Sequence, residues 1–278
     1  MNYYPLIRGR QADLLALRTA VQTGLSPHII PVIEPVKDNA ALPSTVAAFA
    51  AAEHPLYVIA NPQVGTYGLL AAPRHPLPAP LPAPVQAARY FDAQPAPLII
   101  AGTPAEAAAL PARQLRMVPN EARFRVSGSK QAIYLGDWYP SRERTEAYRV
   151  VQRELYQYPK ATLAGRGWAD YPLSSHHYSE QGYPQRAIAL HLLFPSHGAL
   201  YWQHFTSVNN ADFSQPQAKF FEAITPLAAW LAVHPEAATP ATSELLQLLA
   251  QHHFPGLGKV RELQLRHLFT IIGRWLAD

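Results

Sequence analysis

The chain contains no cysteine. Disulfides, thiolate zinc sites, iron–sulfur clusters and a cysteine nucleophile are therefore excluded together. Charge is also sparse: 15% of residues are charged, against roughly 25% in an average soluble protein. Of the 23 basic residues only 5 are lysine, and the arginines are scattered rather than clustered. A net charge of +4 without a basic tail or stripe does not call for a dedicated nucleic-acid surface, but suits a small anionic ligand such as a nucleotide. No apolar run approaches the ~20 residues of a membrane-spanning helix. The first residues also lack the basic, apolar and cleavage regions of a secretory signal. A soluble, cytoplasmic protein is expected. The chain likewise lacks a Gly-x-Gly-x-x-Gly turn, a phosphate-binding P-loop, a His-Glu-x-x-His helix and an EF-hand. Ser174 and Ser175 have no Gly-x-Ser-x-Gly setting, so a serine nucleophile is unsupported.

The sequence does have short, continuously apolar runs ending in polar or turn residues, at 5–8, 28–34, 56–61, 97–102, 114–119, 131–137, 161–165 and 187–194. Continuous hydrophobicity, as opposed to alternation, marks strands buried on both faces of a parallel sheet. Between several runs lie helical patterns, at 13–21 with Leu14, Leu17 and Val21 on one stripe, and at 40–53, 103–110 and 143–156. Eight such runs in 278 residues predict a (β/α)₈ TIM-like barrel, which typically takes about 250 residues. The stretch at 166–185 reads as a loop. A further strand at 199–205 turns back on 187–194 through Pro195–Gly198, and helices follow at 217–233, 242–252 and 260–276. The whole chain reads as one domain, with 199–278 as a C-terminal strand and helical cap. The proline-rich piece at 73–84 reads as an extended polyproline connector, and less often as a ligand for a peptide-binding domain.

In such a barrel the chemistry sits at the C-terminal ends of the strands. Those positions hold Arg8, Glu34, Asn61, Asp137 and His191, with Arg10 and Lys37 close behind. Glu34, Asp137 and His191 are the candidate acid–base residues. Arg8, Arg10, Lys37, Asn61, Arg166, Asp170 and His204 are the candidates for holding substrate, and the arginines suit a phosphate or carboxylate. The plainer reading of Arg8 and Glu34 is a structural ion pair between neighbouring strands. For Asp137 it is a turn role, and for His191 a satisfied core position. Gly165-Arg166-Gly167 has the chemistry of a phosphate loop, though so short a motif is common. His176, His177, His191 and His204 match no metal-ligand spacing, so no metal and no cofactor are assigned.

Several of these stretches resemble the Beta protein family of bacterial and phage proteins. The resemblance rests on Tyr-Pro-Leu-Ile-Arg-Gly-Arg at 4–10 and the run to Leu17, Ile-Ile-Pro-Val-Ile-Glu-Pro-Val-Lys at 29–37, and Gly-Trp-Ala-Asp-Tyr at 167–171. It continues through 187–192, 204–209, 218–223 and 254–258, so it spans nearly the whole chain. Family members carry Lys where this chain has Arg10 and Ser where it has Ala169. Their glycine-rich stretch is reduced here to residues 176–185. The resemblance implies that Arg8, Glu34, Lys37, Asp170, His191 and His204 belong to recurrent motifs, and it carries no assigned activity. Two functions are open at this point. One is an enzyme acting on an anionic, phosphorylated or nucleotide-like substrate at the barrel mouth. The other is a non-catalytic interaction protein, such as a phage-defence or immunity component, that binds a protein partner.

Overall fold

The computed structural model describes the chain except residues 126–129, 159, 161–162 and 181–184. Its described residues divide into two compact units, Met1–Tyr139 with Leu163–Tyr178, and Pro140–Thr162 with Ser179–Leu276. The sequence reads as one domain, and each of the two units has apolar clusters of its own among the described residues.

The first unit runs β1 (Asn2–Tyr3), β2 (Leu6–Arg8), α1 (Gln11–Gln22), β3 (Val32–Glu34), α2 (Ala41–Ala51), β4 (Leu56–Ile59), β5 (Val85–Tyr90), β6 (Leu98–Ile100), α3 (Pro104–Ala109), β7 (Leu115–Pro119), α4 (Ala122–Arg125) and β8 (Ala132–Leu135). The chain returns to this unit for β10 (Gly167–Ala169) after β9 (Arg153–Gln157) has joined the other. The nine strands form one sheet in the order β1-β10-β8-β7-β6-β5-β4-β3-β2, with every pair parallel. Tyr4 and Leu6 bond to the carbonyls of Trp168 and Asp170, while Val32 and Ile30 bond to the carbonyls of Pro5 and Tyr3. The short segment Asn2–Arg8 thus hydrogen-bonds to β10 on one side and to β3 on the other. One apolar cluster collects Leu6, Val32, Ile59, Ala88, Leu98, Met117, Ile133 and Ala169.

The α/β class and the parallel sheet hold, and the eightfold strand–helix alternation does not. Among the described residues only α1, α2, α3 and α4 are α-helices lying between strands of this sheet. The β4–β5 link is threaded with prolines from Pro62 to Pro84, which remove donors and block helical turns. Residues 73–84 form neither helix nor strand. Where helices do form, the local reasons are plain. Leu14, Leu17 and Val21 give α1 a buried stripe. Asn39 accepts from the Ala41 amide at the start of α2 (2.9 Å), and Thr103 with Glu106 makes a reciprocal capping box for α3.

Two of the expected strands need correction. Residues 163–165 form no strand, and 161–162 lie outside the described residues. The run at 187–194 belongs to the other unit, and β5 and β10 supply the missing places in the parallel sheet. The expected helix at 143–156 is a short 3₁₀ turn, Thr145–Arg149, followed by strand β9.

The second unit is an antiparallel three-stranded sheet, ordered β11 (Ala189–Ser196), β12 (Ala199–Thr206), β9. The expected hairpin is present. His197 and Gly198 both take positive φ (50° and 76°), as a two-residue turn matched to strand twist requires. Four helices follow, α5 (Pro216–Ile224), α6 (Leu227–Val233), α7 (Pro240–Ala250) and α8 (Leu257–Ala277). Leu190, Leu192, Phe220, Ile224, Leu245 and Leu263 lie in its apolar cluster. No helix among the described residues is long and apolar enough to cross a membrane.

The tightest backbone approach in the parallel sheet is at Gly167, where a Cβ would overlap the Asn2 carbonyl of the paired strand. Gly167→Ala should lower stability by about 1–3 kcal/mol, the usual cost of overpacking. Gly258→Ala, where a Cβ meets open space, should be neutral or slightly stabilising; thermal melts of the two variants side by side check this.

Candidate active site

The C-terminal ends of the parallel strands carry a connected set of polar side chains. Arg8 ends β2 and Glu34 ends β3, and the two residues are register partners. Both alternate onto the face that carries Leu6 and Val32 in the apolar cluster. Their side chains form a salt bridge, Arg8 Nη1 to Glu34 Oε2, with Arg8 6% and Glu34 0% exposed. A carboxylate so buried must have its lone pairs satisfied. Glu34 Oε1 accepts the Gln63 amide (2.8 Å) and Oε2 accepts the Tyr90 hydroxyl (2.8 Å). Burial pushes the Tyr90 phenol up to about 12, against the opposing pull of Arg8, so it stays protonated and donates. Arg8 Nη2 donates onward to the His176 carbonyl (3.2 Å), and its guanidinium lies 4.9 Å from the centre of the Tyr171 ring. Burial raises the Tyr171 phenol as well.

From the His176 carbonyl the network passes to its imidazole. The His176 amide donates to Asp137 Oδ1 (2.9 Å), and its ring Nδ1 bonds Asp137 Oδ2. With Nδ1–H donating to the carboxylate, Nε2 is left as the basic nitrogen. This pair stands at the wall of a cavity of about 480 Å³ lined by Asn120, Glu121, Asp137, Trp138, Tyr171 and His176, among others. At its rim Arg123 pairs with Glu121 (2.7 Å). Arg125 donates to the neutral Asn120 side chain and lies 5.5 Å from the Tyr134 ring centre. Trp138 lines the cavity, and its buried indole N–H has no hydrogen-bond partner among the described residues.

The other expected site residues divide in three. Arg10, Lys37 and Asn61 lie at this same end. Arg10 sits 5.1 Å from the Tyr178 ring centre at the start of α1, and Lys37 is exposed just past β3. Asn61 extends the ladder, exchanging bonds with the Tyr90 backbone (2.9 and 3.0 Å) and meeting Asp92 (3.0 Å). Asp170 follows β10 but alternates to the opposite face from Ala169, where it is fully buried and accepts from Tyr3 Oη (2.5 Å). Arg166 is a correction: it precedes β10, its amide bonding Ala132 at the start of β8, so it lies at the N-terminal end, away from the cavity. The glycine loop around it is not a phosphate cradle at the mouth.

His191 and His204 are corrected too. They face each other across β11 and β12, an antiparallel pair of the second unit, and not at the end of a strand of the parallel sheet. The four-cation pocket expected from Arg8, Arg10, Lys37 and Arg166 is therefore not assembled, since Arg8 is paired with Glu34 and Arg166 is remote. Sequence reasoning missed Tyr90, Tyr171, Trp138 and Arg125. Tyr171 and Trp138 lie two and three residues beyond a strand end, which is the signal that would have found them. Among the described residues no group of three or more His, Asp or Glu is placed to hold a metal.

No protein-family model, no curated protein and no solved structure matches the chain.

Removing one partner of a buried pair leaves an uncompensated charge. Glu34→Ala should cost about 3–5 kcal/mol and Tyr90→Phe about 1 kcal/mol in denaturant unfolding of the parallel-sheet unit. The double replacement Arg8→Met with Glu34→Leu should recover most of the loss. Equal stability of Glu34→Ala and wild type would show that the pair contributes nothing.

Proposed function

We propose that the C-terminal end of the parallel sheet is an acid–base active site for a small anionic substrate. The observation that carries the reading is the two-point bond of His176 to Asp137 at the wall of the cavity. Asp137 fixes the tautomer, His176 Nε2 takes a proton from the substrate, and the carboxylate stabilises the imidazolium that results. Arg125 is the anion-holding group: its described contacts are a neutral amide and an aromatic ring, so its charge is available to a phosphate or carboxylate. A cavity of this size suits a small metabolite or mononucleotide.

The reading includes closure of the sheet as an eight-stranded barrel, which would hold the strand ends rigid. Two features support closure: Asn2–Arg8 bonds to β10 and β3 at once, and one apolar cluster draws on eight of the nine strands, β2 to β8 and β10. It also includes membership of the Beta protein family, whose resembling stretches contain Arg8, Glu34 and Lys37. A second reading, a non-catalytic immunity component that binds a protein, is favoured by one feature of the other unit. Val208 and Phe213, both in the loop between β12 and α5, are 66% and 55% exposed.

Thermal-shift and calorimetric titration with phosphate and nucleoside monophosphates at low salt test the proposal. The wild type should be stabilised by an anion, and Arg125→Ala should bind it about 10- to 100-fold more weakly, the equivalent of ~1.5–3 kcal/mol for a charge-assisted bond. His176→Ala should keep binding and lose about 10²- to 10⁴-fold in turnover. Anions that leave the melting temperature unmoved, with association to a protein partner abolished by Phe213→Ser, would replace this reading with the second.

A further inference from the structure

The two histidines displaced from the expected site make a cluster of their own. His191 on β11 and His204 on β12 are cross-strand partners, 8% and 2% exposed. Their Nδ1 atoms lie 2.8 Å apart, so a single proton bridges them. His204 Nε2 lies 3.1 Å from Glu154 Oε2 on β9, and Glu154 is in turn paired with Arg142. Because a carboxylate accepts, His204 Nε2 carries a hydrogen, and its Nδ1 therefore accepts from His191 Nδ1–H. Tyr148 of the 3₁₀ turn covers both rings, with centroids 4.5 and 4.8 Å away. From α8, the Gln264 side chain accepts the His191 amide (2.6 Å), and the Arg261 charge acts on the His191 ring. A third imidazole, His267 of α8, bonds the Leu193 carbonyl of β11 (2.7 Å) and the Thr239 hydroxyl (3.0 Å).

We propose that the His191–His204 pair is an acid-operated latch on the β11–β12 hairpin, closed while one proton is shared and opened when both rings are charged. A first added proton is tolerated, since an imidazolium still donates to a neutral ring beside Glu154. A second must occupy the accepting nitrogen, which turns the bridging bond into two opposed N–H groups. The resulting adjacent positive charges then also face Arg142 and Arg261. Burial holds both rings below the ordinary histidine value, His191 most strongly, and holds His267 at about 4. The sign follows. The folded unit binds fewer protons than the opened one below pH ~6.5, so the latch is fully closed above that value and weakens as pH falls. Opening takes up two protons from the neutral pair and one from the singly charged pair, so the opening constant should rise between about 10- and 100-fold per pH unit in that range.

Histidine NMR titration of the intact protein from pH 7.5 to 4.5, with peptide-level hydrogen exchange, tests the latch. The pair should take up at most one proton until the β11 and β12 amides lose protection, while β3–β8 amides keep theirs at the same pH. Glu154→Gln keeps an acceptor for His204 but removes the charge that favours its protonated form, and should move the loss of β11–β12 protection to higher pH. Both rings becoming charged with β11–β12 protection intact would overturn the proposal. So would simultaneous loss of protection in both units, or a Glu154→Gln profile identical to wild type.

Discussion

Glu34 is a carboxylate with no solvent exposure, and burying it sets terms for everything around it. It must be given a cation and hydrogen-bond donors, and each of these comes from a different segment: Arg8 from β2, the Gln63 amide from beyond β4, Tyr90 from β5. Meeting one buried charge thereby fixes the relative positions of three strand ends. Arg8 then carries the constraint across to the His176 carbonyl. The cavity wall is tied, through two side chains, to the charge at the top of the apolar cluster. Burying such a pair gives up solvation that the mutual attraction only partly returns. Its worth here is positional.

Asp137 and His176 alone would be a weak argument for chemistry, because the same local device occurs elsewhere in the unit. Asp38 accepts the amides of Arg74 and His75 (2.5 and 3.1 Å) and bonds His75 Nδ1 (3.0 Å), pinning the start of the proline-rich connector. That pair is a loop clamp. What distinguishes Asp137–His176 is its surroundings: a cavity and an arginine with a neutral partner. The two pairs show how one local solution to ordering a loop can, beside a cavity, also supply a base.

Much of the parallel unit was legible because its strands are short apolar runs that stop at a charge. Arg8, Glu34 and Asp137 were found in that way and do lie at one end. β5 was not legible, since Gln86 and Arg89 interrupt its run, and β10 is only three residues long. The error over His191 has a clear cause. Strand β11 is continuously apolar because both its faces are covered, by the helical cluster on one side and Tyr148 on the other. Continuous apolarity reports burial on both faces, and a covered antiparallel hairpin gives the same pattern as a strand of a parallel sheet. β9 looked helical for a related reason: Glu154, Tyr156 and the arginines near them fit an amphipathic period until the pairing with β12 decides otherwise. The His176–Asp137 contact joins residues 39 apart in sequence, and no local pattern reports it.

The central claim is that the buried Arg8–Glu34 pair positions His176. Hydrogen exchange of the His176 amide, which donates to Asp137, compared between wild type and Glu34→Gln at neutral pH, tests it most directly. Freed from its counter-ion, Arg8 should no longer hold the His176 carbonyl, and the amide should exchange faster while the Arg74 and His75 amides at the Asp38 clamp do not change. An unchanged His176 rate in a folded Glu34→Gln protein would contradict the claim.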